Sequence, residues 1–337
     1  MNILILAGGL SPEREVSLSS ASKIAKSLIK QGNKVCIADI CCNIKDVKQI
    51  CFTNKSDEIK TYAVNGTAPK AIEICEKENE IGENVMEACK TADFVFIALH
   101  GGIGENGKLQ AVFDLNGIKY TGSGYDGCML AMDKNISKMI ACAHQIKTAK
   151  WSMNTKAASL SFPCVVKPAN CGSSIGVAMV NNGDELASAI RLAEPYDNAV
   201  LIEEKIEGRE FSVGILDDKP LPVIEIKPKS GFYDYKNKYQ ADLTQEVCPA
   251  DISANLSDRL QQTALKMHRL LHLSCYSRID FMVDKKEDIY FIEANALPGM
   301  TPASLLPQEA AAAGISYECL CEKIAESAFG HKRVYKS

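Results

Sequence analysis

The stretch RIDFMVDKKEDIYFIEANALPG, residues 278–299, concentrates side chains able to hold a metal ion. Residues 277–283 and 288–294 are rich in β-branched and aromatic types and flank the charged turn 284–287, so the pattern predicts two short strands joined as a hairpin. Side chains alternate faces along a strand, which puts Arg278 and Asp280 on one face of the first strand and Glu293 and Asn295 on one face of the second. Two carboxylates and an amide oxygen, with no histidine or thiolate among them, suit Mg²⁺ or Mn²⁺ better than zinc. Mg²⁺ commonly completes its shell with phosphate oxygens and water, so the hairpin points to a nucleotide. A solvated surface hairpin is the plainer reading of one acid on a strand. It loses ground because Glu293 and Asn295 sit in the mainly apolar run IYFIEANALPG, where an acid needs a partner or a metal to offset desolvation.

A second chemical stretch lies upstream. Lys167 ends the apolar run FPCVVKP and precedes ANCGSSIG, residues 169–176. Glycines let backbone N–H groups approach phosphate closely, and Ser173 and Ser174 add hydroxyl donors. The lysine comes before the glycines, so this is not the GxxxxGK[ST] loop. The apolar strand 200–202 ends at Glu203 and leads through Ile206 to Glu210; an acid there can accept from an adenine amino group or from ribose hydroxyls, with solvated linker charge as the alternative. Lys134 and Lys138 fall on a helix predicted over 128–143, where one could face a phosphate and the alternative is a solvated face. His100 follows an apolar strand and precedes GGIGENG, within reach of a ligand at a sheet edge, although a lone histidine there is more often structural. The run GFYDYKNKY, 231–239, is aromatic, charged and turn-rich and reads as a lid.

The elements that must position these groups follow from the rest of the chain. A length of 337 residues with 46% apolar content allows two or three domains with ample core. A net charge of −4 without a long basic run excludes a general nucleic-acid binder and leaves a small-molecule partner. The opening MNILILAGG is too short for a membrane span and lacks a signal peptide's basic region and cleavage pattern, which predicts a cytoplasmic protein with no membrane partner. Fourteen cysteines without a CxxC pair, in a chain of this length, are expected mostly as buried free thiols. A strand at 2–7, a Gly8-Gly9 turn, a helix opened by Ser11-Pro12 and running to Gly32, and strands at 35–40 and 94–99 predict an open parallel sheet with its ligand at the strands' carboxyl ends. The GxGxxG spacing is missing, which removes an oxidoreductase on a dinucleotide fold. Residues 118–124 read as a domain junction, 53–83 show no firm periodicity, 257–271 form an amphipathic helix, 301–307 a second loop rimmed by glycine and proline, and 317–328 a closing helix.

In this order, GGLSPEREVSLSSA, ALHGGIGENGKLQ, YTGSG, AMDKNISK, VVKPANCGSSIGV, EGREFSVGIL, FYDYKNKY, CPA, RIDF and EANALPGMTPASLLP make the chain resemble the D-alanine–D-alanine ligases of the ATP-grasp superfamily over nearly its full length. The resemblance implies an α/β, three-domain ATP-grasp fold. Its parts would be a Rossmann-like N-terminal domain with an open parallel sheet, 1–121, a central α+β ATP-grasp domain, 122–206, and a C-terminal one with lid and metal site, 207–337. ATP would lie between the last two. The family pattern gives Lys134, Lys167 and Ser174 to the ATP phosphates, Glu203 to adenine, Glu210 to ribose and Ile206 to the same nucleotide site, with Lys238 reaching the γ-phosphate when the lid closes. Asp280, Glu293 and Asn295 would bind two Mg²⁺ or Mn²⁺ per active site.

For the amino acids, the resemblance gives Glu13 to the first substrate's ammonium with His100 nearby, Arg278 and the Gly299 N–H to an oxyanion hole, and Ser304 and Leu305 to the second D-alanine. Glu13, Ser173 and Tyr239 would form one hydrogen-bonded set. The implied reaction is ATP-dependent ligation of two D-alanines through D-alanyl phosphate, for peptidoglycan precursor synthesis. D-Alanine–D-lactate or D-alanine–D-serine ligation is the alternative; Tyr239 and Leu305 favour D-alanine. Cys171 stands where relatives commonly carry an acid, and Asn106 where aspartate is usual. Another ATP-dependent carboxylate–amine ligase would not need Glu13, His100 and FYDYKNKY together, and a non-catalytic nucleotide binder should have lost some of Lys167, Arg278, Asp280, Glu293 or Asn295. The family is commonly dimeric, so a homodimer is expected.

Overall fold

A computed structural model describes residues 1–64, 79–153, 161–229 and 243–330. The first apolar run forms β1 (Asn2–Ala7), buried from its second residue onward. Gly8 and Gly9 follow with φ of 76° and 82°, left-handed values that glycine adopts at no steric cost, and turn the chain into α1 (Arg14–Lys30). β2 (Lys34–Asp39), α2 (Val85–Cys89), β3 (Phe94–Ile97), α3 (Gly102–Glu105) and α4 (Lys108–Leu115) complete this part. The three strands are parallel in the order β2-β1-β3, the expected open sheet.

The helix expected over 128–143 is two helices, α5 (Tyr125–Met132) and α6 (Lys134–Ala143). Asp133 is extended between them, and its side chain accepts from the N–H of Ile136, an N-cap that starts a new helix instead of continuing the old one. β4 (Trp151–Met153), β5 (Cys164–Pro168), β6 (Ala178–Val180), α7 (Gly183–Ala193) and β7 (Val200–Glu204) come next. Their strands pair antiparallel in the order β4-β7-β5-β6.

The last and largest sheet holds β8 (Gly208–Leu216), β9 (Lys219–Pro220), β10 (Ile224–Pro228) and β11 (Thr244–Val247), then, after α8 (Ala254–Leu270), β12 (Tyr276–Asp284) and β13 (Ile289–Asn295). Its order is β11-β10-β8-β12-β13, with β9 beside β8. The predicted hairpin is present as β12 and β13. The helix read from 257 begins three residues earlier, because the Ser253 hydroxyl accepts from Leu256 N–H and caps it. α9 (Leu305–Ala312) and α10 (Tyr317–Gly330) close the chain.

Two packing relations cross the order of the chain. Leu320, Cys321, Ile324 and Ala325 of α10 bury themselves in the core of the first sheet, and Phe329 meets Phe94 edge-on at 5.3 Å. Cys128, Ala131 and Ala141 of the α5–α6 pair share a core with Phe211, Val213, Ile279 and Phe281, so these helices pack on the last sheet. Every described cysteine is a free thiol. Cys41, Cys89, Cys128, Cys164, Cys275 and Cys321 are buried, whereas Cys42, Cys51 and Cys142 are exposed and the others lie between, so burial is less general than expected. Among the described residues no helix is long and apolar enough to cross a membrane.

Candidate active site

Two cavities adjoin at Lys134 and Glu293. The larger, about 680 Å³, opens between the β4–β7 sheet and the last sheet, and its walls include Lys134, Lys138, Lys167, Ser174, Glu203, Ile206, Glu210, Asp280 and Glu293. Val165, Met179 and Met282 line it too, an apolar surface suited to a flat heterocycle. The smaller, about 280 Å³, lies between the first sheet's loops and the last sheet, with Glu13, His100, Glu105, Ser173, Arg278, Asn295, Gly299, Ser304 and Leu305 around it. Residues drawn from separate stretches of the sequence thus converge on two neighbouring chambers.

The hairpin delivers its side chains as the alternation predicts. Arg278 pairs with Asn295 and Asp280 with Glu293, and the register shifts just after Asp280, a bulge of the kind that re-aims side chains beside a site. Arg278 grips Asp280 with two bonds, Nε at 2.9 Å and the terminal nitrogen at 2.8 Å, while Ser212 Oγ (2.7 Å) and Asn295 Nδ2 (3.0 Å) donate to the same carboxylate. Glu293 faces Lys134 Nζ at 3.1 Å. Like charges directly opposite on paired strands repel, so a cation belongs between Asp280 and Glu293. Arg278 and Lys134 supply that charge in this state. The donor set, two carboxylates and one amide oxygen, fits a hard divalent cation.

Lys134 lies almost fully buried, which works against its charge, yet Glu293 outweighs that and holds its pKa above the usual value; Nζ also donates to the Cys171 carbonyl at 2.8 Å. Lys167 and Lys138 both reach Glu203, at 2.6 and 2.7 Å. Burial pushes the Glu203 carboxyl up, but the two ammonium groups prevail and bring it down to about 2. The expected adenine contact is therefore, in this state, the counter-ion of two lysines. Because the folded value lies below the ordinary one of about 4.3, this carboxylate stabilises the fold above that pH and ceases to as pH falls toward 2. Glu203→Gln should cost about 3 kcal/mol or more at pH 7, since it leaves two buried cations short of their counter-charge. Melting curves from pH 7 down to 3 check this: the gap between wild type and variant should narrow as pH falls.

Glu13 stands just ahead of α1, and its carboxylate turns away from that helix to accept the Ser173 hydroxyl of the glycine-serine loop. Ser11 takes over at the helix entry, its Oγ accepting from Glu13 N–H at 3.1 Å. Ser173 and Ser174 both hold left-handed φ, 51° and 55°, an uncommon backbone for residues with a Cβ and one that gathers at ligand-binding loops. A Cβ at Gly172 would lie 2.7 Å from the Glu13 carboxylate, so a side chain there requires Glu13 to move. Gly172→Ala is expected to displace Glu13 and, on the ligase chemistry the resemblance implies, to lower kcat/KM for amino acid roughly tenfold or more through misplacement alone; steady-state kinetics at saturating ATP read it. Ser304 sits at the head of α9, Oγ 2.9 Å from Thr301 Oγ1, and Leu305 is buried against Ile224 and Ile226.

His100 sits in the same chamber with both ring nitrogens in use, Nδ1 3.0 Å from the Leu297 carbonyl and Nε2 3.2 Å from Ser20 Oγ. Burial lowers its pKa. Tyr239 and Lys238, with the rest of the lid reading, lie outside the described residues. Sequence reasoning passed over Glu105, a buried acid whose carboxyl is pushed up to about 7 by desolvation and then by Glu13. Its signal was an acid in an otherwise glycine-rich, apolar loop. Lys138 proves to be fully buried, not a solvated face. The Cys171 thiol does not replace the acid common there, for burial raises it to about 12 and keeps it neutral. Asn106 accepts from Lys108 N–H at 3.1 Å, a contact aspartate could make equally. Asp39, Cys41 and Cys42 also bring ligating atoms within 4.8 Å of one another, with the Arg14 guanidinium on Asp39 as the cation.

Comparison with known proteins matches residues 2–123 to the family described as D-ala D-ala ligase N-terminus and residues 133–326 to D-ala D-ala ligase C-terminus. A D-alanine–D-alanine ligase of Pediococcus pentosaceus is 42% identical over 350 residues, covering 99% of each chain, and one of Nitrosomonas europaea 42% over 336 residues, covering 98% of this chain and 97% of that one. Among solved structures, a D-alanine–D-alanine ligase from Bacillus anthracis complexed with ATP aligns with TM-score 0.74 at 31% identity over 97% of each chain. The VanG D-Ala:D-Ser ligase from Enterococcus faecalis aligns with TM-score 0.75 at 28% identity over 97% of this chain and 99% of that one.

Proposed function

This chain belongs to the D-alanine–D-alanine ligase family, and we propose that it joins two D-alanine molecules at the expense of ATP, through a D-alanyl phosphate, for peptidoglycan precursor synthesis. The observation that carries this reading is the pair of chambers sharing Lys134 and Glu293, one with a phosphate-type lining and an apolar wall, the other with an acid and a guanidinium for an amino acid.

In the larger chamber Lys134, Lys167 and Ser174 bind the phosphates, and Glu203, Ile206 and Glu210 the nucleoside. Asp280, Glu293 and Asn295 would hold two Mg²⁺ or Mn²⁺, whose charge offsets that of the phosphoryl group in transfer. In the smaller chamber Glu13, fixed by Ser173, holds the ammonium of the first D-alanine so that its carboxylate meets the γ-phosphorus and ADP departs. The amine of the second D-alanine, seated by Ser304 and Leu305, attacks the acyl phosphate carbonyl and phosphate leaves. Arg278 and the Gly299 N–H take up the negative charge that grows on that carbonyl oxygen. The family pattern also gives Tyr239 and Lys238 to this site; both lie outside the described residues.

We divide the chain into 1–121, 122–206 and 207–337, a reading supported by the three sheets of the described residues each falling within one of these ranges. We place the protein in the cytoplasm, where ATP is available, as a homodimer. A D-serine or D-lactate acceptor is the competing reading, because VanG shares the fold. The buried Leu305 side chain favours a methyl group in the second subsite instead. Incubation with ATP, Mg²⁺ and D-alanine should release phosphate and yield D-alanyl-D-alanine by mass. Turnover only when D-lactate or D-serine is added would change the substrate, and no turnover in any mixture would overturn the ligase reading.

A further inference from the structure

We propose that Glu105 is a positioning residue that, with His100, clamps the backbone N–H and C=O of Leu297 and so fixes the wall of the amino-acid chamber between Asn295 and Gly299. This deepens the ligase reading and rests on it. Glu105 ends α3, a helix on the first sheet's side, and its two oxygens go to different parts of the molecule. Oε2 accepts Gly101 N–H at 3.1 Å, and Oε1 accepts Leu297 N–H at 3.0 Å, across 192 residues of sequence. The carbonyl of Leu297 faces His100 Nδ1 at 3.0 Å. A carbonyl can only accept, so Nδ1 carries the proton, and in the neutral ring Nε2 accepts from the Ser20 hydroxyl. Both backbone polar groups of one buried residue, the N–H of the peptide before Leu297 and the C=O of the peptide after it, are therefore held by Glu105 and His100 from the first sheet's side.

The next residues transmit that orientation. Pro298 has a fixed φ, so a backbone held on both sides of Leu297 leaves few free torsions before Gly299. Gly299 packs close to Ser304, where an added Cβ would lie 2.9 Å from Oγ. The wall is thus tied at one end to β13 with its Asn295, at the other to the head of α9, and in the middle to the first sheet. An ionised carboxyl suits the middle tie, because two N–H donors need two bare acceptor oxygens. An amide in its place turns an NH₂ against one of them.

The test is steady-state kinetics at pH 8.5, where the Glu105 carboxyl is ionised, on wild type, Glu105→Gln, His100→Gln and the double variant. Each single change should lower kcat about tenfold to a hundredfold by leaving one buried group unpaired, with KM for ATP unchanged. The double variant should lose little more than the worse single, because both act through the backbone of one residue, Leu297. Glu105→Asp, which keeps the charge but not the reach, should behave like Glu105→Gln and serves if the latter does not fold. Amide exchange at Leu297, slow in wild type and accelerated in the Glu105 variants, reads the clamp independently of turnover, so a failed ligase reading would not be mistaken for a failed clamp. Wild-type kcat in Glu105→Gln, losses that multiply in the double variant, or unchanged Leu297 exchange would each overturn the proposal.

Discussion

Arg278→Ala should bind ATP nearly as wild type does and turn over about a hundredfold to a thousandfold more slowly. Arg278 lines the amino-acid chamber and is absent from the walls of the nucleotide chamber, so its loss removes little that ATP touches. Its partner Asp280 is not orphaned by the change, since Ser212 and Asn295 still donate to it. In the proposed mechanism what disappears is a cation beside the carbonyl whose oxygen becomes negative only as the second amine attacks, a loss confined to the transition state. Arg278→Lys should recover part of the rate, because the charge returns without the two-pronged grip that sets its position. Equilibrium binding of ATP alongside kcat separates the effects, and normal turnover in the alanine variant would remove Arg278 from the chemistry.

Glu293→Gln should cost about a thousandfold in kcat, several kcal/mol of transition-state stabilisation, together with a higher Mg²⁺ requirement. Glu293 belongs to both chambers and offsets the charge of Lys134, one of the most deeply buried ammonium groups in the molecule. The amide keeps the shape of the side chain but gives up the charge that balances the buried lysine and, in the proposed mechanism, holds a divalent cation. Titration of activity with Mg²⁺ is the check. A half-saturating concentration equal to that of wild type would mean that Glu293 serves Lys134 alone.

The site was legible in the sequence where local geometry decides. Strand alternation in 277–295 was enough to put Arg278 with Asp280 on one face and Glu293 with Asn295 on one face, whereas the pairing of Asp280 with Glu293 and of Arg278 with Asn295 rests on a register that shifts just after Asp280 and that alternation alone does not set. The contact between Glu13 and Ser173 was legible only through resemblance, as the two lie 160 residues apart. Partners chosen by burial were not legible at all. Nothing local says that Glu203 will be shared by Lys138 and Lys167, or that His100 will spend both nitrogens on Ser20 and Leu297. The fold behaves alike: the parallel strands announced themselves as apolar runs, whereas the docking of α10 on the first sheet depends on which surface remains uncovered once the chain has turned back. Asp133 is a near miss, a capping residue inside an unbroken helical pattern, readable only once its side chain is seen to accept from Ile136 N–H.

The central claim is that the two chambers act in sequence on one carboxylate. It is tested most directly with D-alanine labelled with ¹⁸O in its carboxyl group, together with ATP and Mg²⁺. Passage through an acyl phosphate hands one substrate oxygen to the departing phosphate, so the phosphate released with each dipeptide should carry one ¹⁸O atom. Dipeptide formed with unlabelled phosphate would contradict the account.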